Sequence, residues 1–491
     1  MSTTLVALII ILFSVAYIFV KRQFSYWSRR GFFQADASFP FGSIKGANFS
    51  ITLTEKLDEI YKQFKGKASV VGFYNFLGAS ILPIDPEIIK HIFVKDFASF
   101  HDRGFFYNKR DDPLTNNILS IKGQEWKDRR AKFTPVFTSA KMKQMYEIIE
   151  EISDKFALKL GESLKDSNIQ DMRIWARRFT NDNIGSTVFG IDAKCLEDIN
   201  SDLMVFGQKS LNMTLAGAFK FAFGSTFPEI ARFLRFKILD KDSHEFFLNT
   251  FLQTLEYRRN NKQIVRHDFV SMLLELSDQL PPIDLAAEAT IMYLAGFETS
   301  ATLISFALYE LALNSEMQDR LRDEILNGIN ENDGKITYEM LYGFEYLDMV
   351  INETLRKLPS IPHIFRKCTK DFVVPNTNLV IPKGTQVIIN NYSLQHDPEY
   401  FPNPEKFDPE RFNSENKKKI NPYTNMPFAL GNRNCLGERF GLMQAKIGVV
   451  KMIKNFIFTP CNKTTIPMKF VPNQFFLTPV GGIQLCIKKI H

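Results

Sequence analysis

The segment Phe428 to Gly437, FALGNRNCLG, holds the residues with the clearest chemistry in the chain. Its one cysteine, Cys435, stands in a glycine-punctuated loop before Glu438 to Met452, a stretch whose pattern predicts a helix. The N-terminus of that helix would direct backbone N–H groups at the sulfur, which predicts a lowered thiol pKa. A thiolate is the axial ligand that favours O–O cleavage at a haem iron, so the loop suits oxygen activation.

The neighbours of Cys435 have residue types that fit this chemistry. Gly431 can take a positive φ in a tight turn. Arg433 offers a fixed fork of donors to a haem propionate, and Gly437 lets the following helix approach the porphyrin closely. The alternative interpretation is a buried, inert cysteine between two turns.

The pattern F-x-x-G-x-R-x-C-x-G, met here at all five fixed positions, resembles the haem-binding signature of the cytochrome P-450 monooxygenases. The resemblance implies that Cys435 ligates the iron of haem b, iron protoporphyrin IX. It also implies three further cofactor-binding positions in the loop: Phe428, Arg433 and Gly437. Ala429 and Asn432 stand where relatives often have Gly and Pro, a departure that concerns loop stiffness and not the ligand.

Two upstream segments resemble other haem contacts of the same superfamily. Trp126 and Arg130 lie four residues apart in the predicted helix from Gly123 to Phe137, so an indole N–H and a guanidinium could both reach a propionate. The pair resembles the W-x-x-x-R element of the superfamily. Arg366 falls where relatives place another propionate ligand. Taken alone, the first motif could be a packed Trp beside an exposed Arg.

A long helix is predicted from Asp284, its expected N-cap, to about Asn314. Its middle, AGFETS at residues 295–300, has small side chains, and the Thr299 hydroxyl can bond back to the carbonyl of residue 295, which can open a pocket. The stretch resembles the oxygen-binding helix of the superfamily. That resemblance implies that Glu298 and Thr299 are the acid and alcohol that guide protons to dioxygen. Alternatively, the glycine simply marks close helix packing.

Glu353 and Arg356, three residues apart on one predicted helical face, form an E-x-x-R pair. Exposed pairs of this kind contribute only about 0.5 kcal/mol, so a solvated pair is the simpler interpretation. However, PERF at residues 409–412 can add Arg411, and the order of these motifs again resembles the superfamily. The resemblance implies a buried three-membered network that supports the haem side and is not catalytic.

Composition limits the class of protein. The chain has 491 residues, 45% of them hydrophobic and 23% charged, with no linker-like segment dividing it, which predicts one large globular domain. The five cysteines are scattered without metal-finger spacing, which favours a reducing compartment over structural zinc. A net charge of +7 is too modest to suggest nucleic acid binding. The expected fold class is mainly α with a small β region (α+β), the cytochrome P-450 fold.

The N-terminus predicts a membrane anchor. Thr3 to Val20 is an uncharged run of 18 residues followed at once by Lys21 and Arg22, so the basic flank should stay cytosolic. We expect an anchor at residues 1–22, a linker at 23–45 and the catalytic domain at 46–491. The resemblance implies the endoplasmic reticulum membrane, with the catalytic domain facing the cytosol. A buried N-terminal helix is the alternative.

Three surfaces are predicted more coarsely. Leu215 to Phe236 carries six phenylalanines, either as a second membrane contact or as part of a helical hairpin packed on the core. Basic residues near the cysteine loop predict either a docking face for an electron donor or a solvated surface: Lys127, Arg129, Lys132, Lys417, Lys418 and Lys419. By family placement, the substrate pocket is expected from apolar side chains: Phe105, Phe106, Phe297, Ile361, Phe475 and Phe476.

The segments HDRG, AGFETS, FRKCTKD and FPNPEKFDPERF look most like those of insect microsomal members associated with xenobiotic metabolism. The resemblance implies that the protein inserts one oxygen atom from O2 into a hydrophobic small molecule. The implied partners are NADPH-cytochrome reductase as the flavoprotein donor, cytochrome b5, and membrane lipid. Two alternatives are a haem-thiolate isomerase or lyase acting on peroxides and a membrane-tethered haem sensor or carrier.

Overall fold

The structure is a computed structural model that describes residues 3–212, 214–263, 266–332 and 334–490. Within these residues, helices dominate, and the α-helices are the following: α1 Thr3–Gln23, α2 Leu53–Phe64, α3 Pro86–Lys90, α4 Gly123–Phe133, α5 Ser139–Ser163, α6 Met172–Ile184, α7 Asp202–Leu211, α8 Leu215–Thr226, α9 Pro228–Phe233, α10 Lys241–Asn260, α11 Phe269–Glu275, α12 Pro282–Leu313, α13 Ser315–Glu331, α14 Tyr338–Gly343, α15 Glu345–Lys357, α16 Asn391–Gln395 and α17 Glu438–Asn455.

The strands of the described residues are few and short: β1 Val70–Asn75, β2 Gly78–Pro83, β3 Ile169–Asp171, β4 His363–Lys367, β5 Phe372–Val373, β6 Val380–Ile381, β7 Gln386–Asn390, β8 Phe456–Pro460 and β9 Gln484–Lys489. They form a four-stranded sheet in the order β1-β2-β7-β4, a three-stranded sheet β3-β9-β8 and the pair β5-β6. Only the β2–β7 pair is parallel. The predicted mainly α fold with a small β region is confirmed.

Two hydrophobic cores organise the chain. The larger one is helical and surrounds α12, which packs against α6, α10, α15 and α17. The smaller one lies around the four-stranded sheet. The segment assigned above to a linker, 23–45, packs onto this second core: Trp27 is fully buried against Gly72, and the Ala35 N–H donates to the Gly72 carbonyl at 2.9 Å. The folded region therefore begins before residue 46.

Helix α12 spans 32 residues and begins two residues before the expected N-cap, Asp284. Pro282 occupies the first turn, where its fixed φ and its missing N–H suit a helix start. The Asp284 carboxylate is instead bound by the buried Arg129 side chain at 3.2 Å. Among the described residues, α12 is the helix long and apolar enough to cross a membrane, but most of it is buried inside the domain, as in a core helix.

Helix α1 differs from α12 in its surroundings. Large apolar side chains along α1 are exposed: Leu5, Ile10, Ile11, Leu12, Val15, Tyr17, Ile18 and Phe19. The helix ends on Lys21 and Arg22, and the Gln23 side chain donates to the Leu77 carbonyl at 2.7 Å. An exposed apolar helix with a basic end is what a membrane anchor requires.

The turn at Pro382–Gly384 connects two different sheets. Strand β6 pairs with β5, whereas β7 pairs with β2 and β4. Gly384 has a φ of +89°, a left-handed conformation that favours glycine at this position of a turn.

Candidate active site

The cysteine loop is closed by a backbone hydrogen bond from the Cys435 N–H to the Phe428 carbonyl at 2.8 Å. Gly431 has the predicted positive φ, +72°, and a Cβ there would lie 2.2 Å from the Phe93 carbonyl oxygen. Ala429 also has a positive φ, +58°, at one of the positions where relatives often have glycine. The loop therefore holds a mildly strained residue next to Phe428, whose carbonyl accepts the Cys435 N–H.

The Cys435 side chain is accessible to solvent, although protein surrounds it. It therefore borders an interior space and not the outer surface. Burial raises the pKa of the thiol, while the Gly437 N–H at the start of α17 donates to the sulfur and lowers it, as do Arg103 and Arg130. The expected net lowering of the pKa is thus wrong for the protein alone, because burial outweighs the helix N-terminus. A metal cation would reverse this balance, since coordination deprotonates a thiol.

Helix α12 presents a second open surface in the interior. Ala295 is exposed although its neighbours Tyr293, Leu294 and Phe297 are buried. The Thr299 hydroxyl donates to the Ala295 carbonyl at 2.7 Å, which confirms the expected back-bond. Helix α17 packs beside this stretch, and the Gln444 amide donates to the Gly296 carbonyl at 2.8 Å.

Gly296 itself follows the packing interpretation. A Cβ at this position would lie 2.7 Å from the terminal Cδ1 methyl group of Ile184 on α6, so a larger residue would require that side chain to move. The glycine thus lies at the α6–α12 contact. The residues of α12 that border the interior space are Ala295 and Thr299.

Four arginines converge near Cys435 with few acidic partners: Arg103, Arg130, Arg366 and Arg433. Arg366 and Arg433 are fully buried. Burial lowers the pKa of Arg433 to about 8, that of Arg103 to about 10 and that of Arg366 well below its usual range. Because guanidinium groups stay protonated in proteins, these directions indicate how unfavourable the buried charges are without an anion.

The hydrogen bonds of these arginines are incomplete. Arg433 donates to the carbonyls of His101 and Ile121, the latter at 2.8 Å, but its Nε has no partner among the described residues. Arg366 donates only to the Phe365 carbonyl, at 2.8 Å, and its Nε and one terminal nitrogen have no partner in that part of the chain. Orphaned, buried guanidinium donors beside a cysteine fit a planar cofactor that carries carboxylates. The residues therefore fit haem.

Trp126 and Arg130 lie beside this group on α4. The Arg433 guanidinium stacks over the Trp126 ring at 4.5 Å, and Arg130 donates to the carbonyl and side-chain oxygens of Asn434 at 3.0 and 2.8 Å. The structure thus brings both residues to the cysteine loop. Arg103, whose side chain donates to the Arg433 carbonyl at 3.2 Å, was not predicted as a site residue. Its only signal in the sequence was its place in HDRG.

The side chain of Glu298 points away from Thr299, towards α6. Its carboxylate accepts hydrogen bonds from Arg173 at 2.7 Å and from Arg177 at 2.8 Å, and it is almost fully buried. Arg173 also donates to the Thr478 hydroxyl at 3.0 Å. The two sequence neighbours therefore lie in different surroundings: Thr299 borders the interior space, and Glu298 is held by two arginines.

The Glu353–Arg356 pair is buried, as the motif order implied. Arg356 donates to both carboxylate oxygens of Glu353 at 2.8 Å, and the Arg411 Nε approaches the same carboxylate at 3.5 Å. The Glu353 carboxylate also accepts the Asp408 N–H at 2.9 Å. The network fastens α15 to the segment that leads into the cysteine loop.

The predicted basic face needs one correction. Lys127 and the three lysines at 417–419 are exposed, and Lys132 is half-buried. Arg129 is buried instead, because it forms ion pairs with Asp284 and Glu288 of α12. It is therefore unavailable to a docking partner.

Aromatic side chains meet around Phe365, at the end of the sheet that carries Arg366. The ring centroids of Phe105 and Phe365 lie 5.3 Å apart, and Phe475 stacks on Phe365 at 6.1 Å and touches Phe476. Phe297 does not join this group: it is fully buried and stacks on Tyr293 at 5.0 Å.

The segment 215–236 places part of its apolar surface outside. A ring contact at 5.4 Å holds Phe221 to Phe105, but Phe219 and Phe227 are exposed, and Phe233 is 84% exposed. The segment thus has one packed side and one apolar outer side.

A surface cavity of about 410 Å³ lies between α5 and the loop that follows α6. Its lining includes Lys155, Lys194, Asp192 and Glu197, and none of the predicted site residues. It is therefore separate from the interior space beside Cys435.

Comparison with known proteins agrees with this geometry. The family model for cytochrome P450 matches residues 38–487. The chain is 40% identical to "Probable cytochrome P450 6a13" of Drosophila melanogaster, over 98% of each chain. It is 37% identical to "Cytochrome P450 6A1" of Musca domestica, over 98% of this chain and 97% of the relative, and 37% identical to "Probable cytochrome P450 6a14" of Drosophila melanogaster, over 99% of each.

The expected resemblance to insect members is confirmed, since these relatives are fly proteins matched along nearly their whole length. Haem is the cofactor of the family, and the buried arginines and Cys435 suit it. From the matched family model, the identities and the site together, the chain belongs to the cytochrome P450 family and is a haem-thiolate monooxygenase.

Proposed function

We propose that Cys435 binds the haem iron and that the protein inserts oxygen into small apolar molecules, using electrons from NADPH delivered by NADPH-cytochrome reductase, with cytochrome b5 as a further partner. The observation that carries this proposal is the convergence of Arg103, Arg366 and Arg433 near the thiol, with orphaned buried donors on Arg366 and Arg433. Bound haem supplies the activation of dioxygen and its insertion into the substrate.

The chain's own residues then have distinct roles. Arg130, Arg366 and Arg433 would hold the propionates, with the Trp126 indole beside them and Phe428 and Gly437 against the ring. The Gly437 N–H stabilises the sulfur as thiolate. The aromatic side chains around Phe365 would exclude water and receive the apolar substrate.

Glu298 and Thr299 are proposed to handle protons. The Thr299 hydroxyl, half-exposed to the interior space, can hold a proton at Oγ1 and donate it away from the Ala295 carbonyl when its side chain rotates. For the Glu298 carboxylate to pass a proton towards Thr299, it has to leave Arg173 or Arg177. The two arginines therefore control when this acid is available.

Thr299→Val tests the proton role, because it keeps the shape of the side chain and removes the donor. We expect haem content and ligand binding to persist while NADPH consumption exceeds product formation and hydrogen peroxide makes up the difference. Coupling equal to that of the parent enzyme would leave Thr299 with a packing role only.

The placement in the cell is part of the proposal. Residues 1–22 would anchor the protein in the endoplasmic reticulum membrane, with the globular domain in the cytosol, and the exposed side of segment 215–236 would form a second lipid contact. The exposed lysines at 127 and 417–419, on the helix of Trp126 and in the segment before the cysteine loop, would dock the reductase. Reversing these charges should slow reduction, and more so at low salt.

The decisive experiment combines a spectrum and a turnover assay. With carbon monoxide, the reduced parent protein should show the strongly red-shifted Soret band of thiolate ligation, and Cys435→His should abolish it. Turnover of an apolar substrate should require NADPH and reductase. Product from an organic hydroperoxide alone, with none from NADPH and reductase, would instead favour the isomerase or lyase alternative.

A further inference from the structure

Arg129 lies next to Arg130 in α4, but its side chain points in a different direction, into the protein towards α12. It donates to Glu288 Oε1 at 3.0 Å and to Asp284 Oδ2 at 3.2 Å, both on the first turns of α12, and to the Asn116 carbonyl at 3.2 Å. The side chain is 5% exposed, and Glu288 is fully buried. One guanidinium therefore connects α4, α12 and the segment before α4.

The segment 116–121 is attached to the same carboxylates. The Asn116 amide donates to Asp284 Oδ1 at 3.2 Å, and the Ile118 N–H donates to Glu288 Oε2 at 3.2 Å. At its other end, the Ile121 carbonyl accepts a hydrogen bond from Arg433 at 2.8 Å. The cluster thus reaches the proposed haem residues by two routes: along α4 to Trp126 and Arg130, and along 116–121 to Arg433.

The charges of the cluster do not balance. Arg129 faces two buried carboxylates, Asp284 and Glu288, and a third, half-exposed one, Glu125, at 3.5 Å. Burial raises the pKa of Glu288 to about 7, although Arg129 and the Ile118 N–H oppose this rise. Without Arg129, two carboxylates would remain buried with only backbone and amide donors, and the ends of α4 and 116–121 would lose their common attachment to α12.

We propose that Arg129 is a positioning residue for the haem: through Asp284 and Glu288 it fixes the places of Trp126, Arg130 and Arg433 relative to α12. Arg129 touches neither the thiol nor the interior space in this arrangement, so its effect on the cofactor is indirect. The inference rests on the proposed assignment of Trp126, Arg130 and Arg433 to the haem propionates.

The test measures the rate at which the full-length, haem-loaded protein transfers haem to excess apomyoglobin. Arg129→Met removes the charge and keeps most of the length, and Arg129→Lys keeps the charge but cannot bind both carboxylates with a fork of donors. Arg258→Met is the matched control, because Arg258 of α10 forms an equally buried ion pair, at 2.6 Å, with Asp268 before α11, in a cluster that does not include the proposed haem residues. Arg130→Met serves as the direct reference.

We expect Arg129→Met to release haem about tenfold faster than the parent, as is typical when a residue that supports ligand groups is lost. The release rate of Arg129→Lys should lie between those of the parent and Arg129→Met. Arg258→Met should release haem at the parental rate, although it loses as much thermal stability as Arg129→Met. If Arg129→Met fails to fold, the lysine variant decides alone, and a parental release rate would overturn the proposal.

Two other outcomes separate the causes of failure. Equal release from the Arg129 and Arg258 variants, with faster release from Arg130→Met, would make Arg129 a purely structural residue and leave the haem assignment intact. Unchanged release from Arg130→Met would instead remove that assignment, and the inference with it.

Discussion

Arg356 and Arg366 lie close in sequence, on α15 and β4, and both are fully buried. Their hydrogen-bond and ion-pair partners nevertheless differ. Arg356 donates to both oxygens of Glu353 and to the Gln395 carbonyl at 3.0 Å. Arg366 has one carbonyl partner, and its nearest charged neighbours, Arg103 and Arg433, are cations. The charge of Arg356 is therefore balanced by a carboxylate of the chain, whereas that of Arg366 is not.

This difference in charge balance distinguishes an arginine that supports the fold, Arg356, from one at a ligand site, Arg366. A buried guanidinium that lacks an anion is unfavourable by several kcal/mol, so a protein keeps such a group where something else supplies the negative charge. Around Cys435 that charge would come from the haem propionates. Around Glu353 the protein supplies it itself, and no ligand is needed.

Arg356→Met should give the largest effect on stability. Removing one partner of a buried pair leaves the Glu353 carboxylate with only Arg411 and the Asp408 N–H, so we expect a loss of about 3–5 kcal/mol in the free energy of unfolding. Denaturant unfolding of the solubilised chain measures it. The double variant with Glu353→Met should recover most of the loss, and a double variant as unstable as the single one would contradict the charge-pair explanation.

The cluster of Arg129, Asp284 and Glu288 extends the comparison, because there the carboxylates are in excess. Burial raises the pKa of Glu288 from 4.5 to about 7. A carboxyl group with a raised folded-state pKa contributes stability that is present below pH 4.5 and is lost as pH rises to about 7. This loss is roughly 3 kcal/mol.

Unfolding free energies of the parent and of Glu288→Gln, measured from pH 5 to pH 8, isolate this contribution, since other titrating groups cancel in the difference. As the pH rises to about 7, the free energy of unfolding of the glutamine variant should increase relative to that of the parent. Above about pH 7 the difference should be constant. A difference independent of pH would mean that Glu288 is not titrating in this range.

Arg366→Met should act with opposite signs on the two forms of the protein. The haem-free chain should gain stability, because an unbalanced buried charge is removed, while haem affinity should fall about 10- to 100-fold. Haem titration and unfolding of both forms measure these changes. Equal destabilisation of the haem-free and haem-loaded forms would place Arg366 with Arg356, as scaffold.

The smallest effect belongs to Arg320. Its ion pair with Glu410, at 2.7 Å, joins α13 to the turn that carries Arg411, but both side chains are about half-exposed. Arg320→Ala should change the free energy of unfolding by less than about 0.5 kcal/mol, because water screens and replaces such a pair. A change as large as that of Arg356→Met would show that burial is not what distinguishes these arginines.

Much of this site was predictable from short spacings in the sequence. Gly431, Cys435 and the start of α17 follow from a turn and a helix within one loop, where each residue constrains its neighbours. The back-bond of Thr299 depends only on helical geometry. The direction of the Cys435 pKa was not predictable in this way, because it depends on how much protein surrounds the sulfur.

The direction of a side chain around a helix was not predictable, and for this reason Arg129 was wrongly included in the basic face. Arg129 and Arg130 are adjacent and look alike in sequence, but one residue turns a helix by about 100°, so one guanidinium faces α12 and the other faces Asn434. Glu298 and Thr299 separate for the same reason. No local pattern indicates which side of such a helix the rest of the chain will cover.

The sequence by itself determined the elements that carry the chemistry: a cysteine loop leading into a helix, an α4 with Trp126 and Arg130, a long apolar helix, and ordered motifs sufficient to identify the family. Tertiary structure alone decided which charges are balanced. Arg103, Arg366 and Arg433 come from segments more than 60 residues apart, and they become a site for an anion only because the fold brings three cations together, with Asp102 at 3.5 Å from Arg433 as the carboxylate beside them. Spacing along a chain specifies local geometry, whereas the free energy of a buried charge depends on everything packed around it.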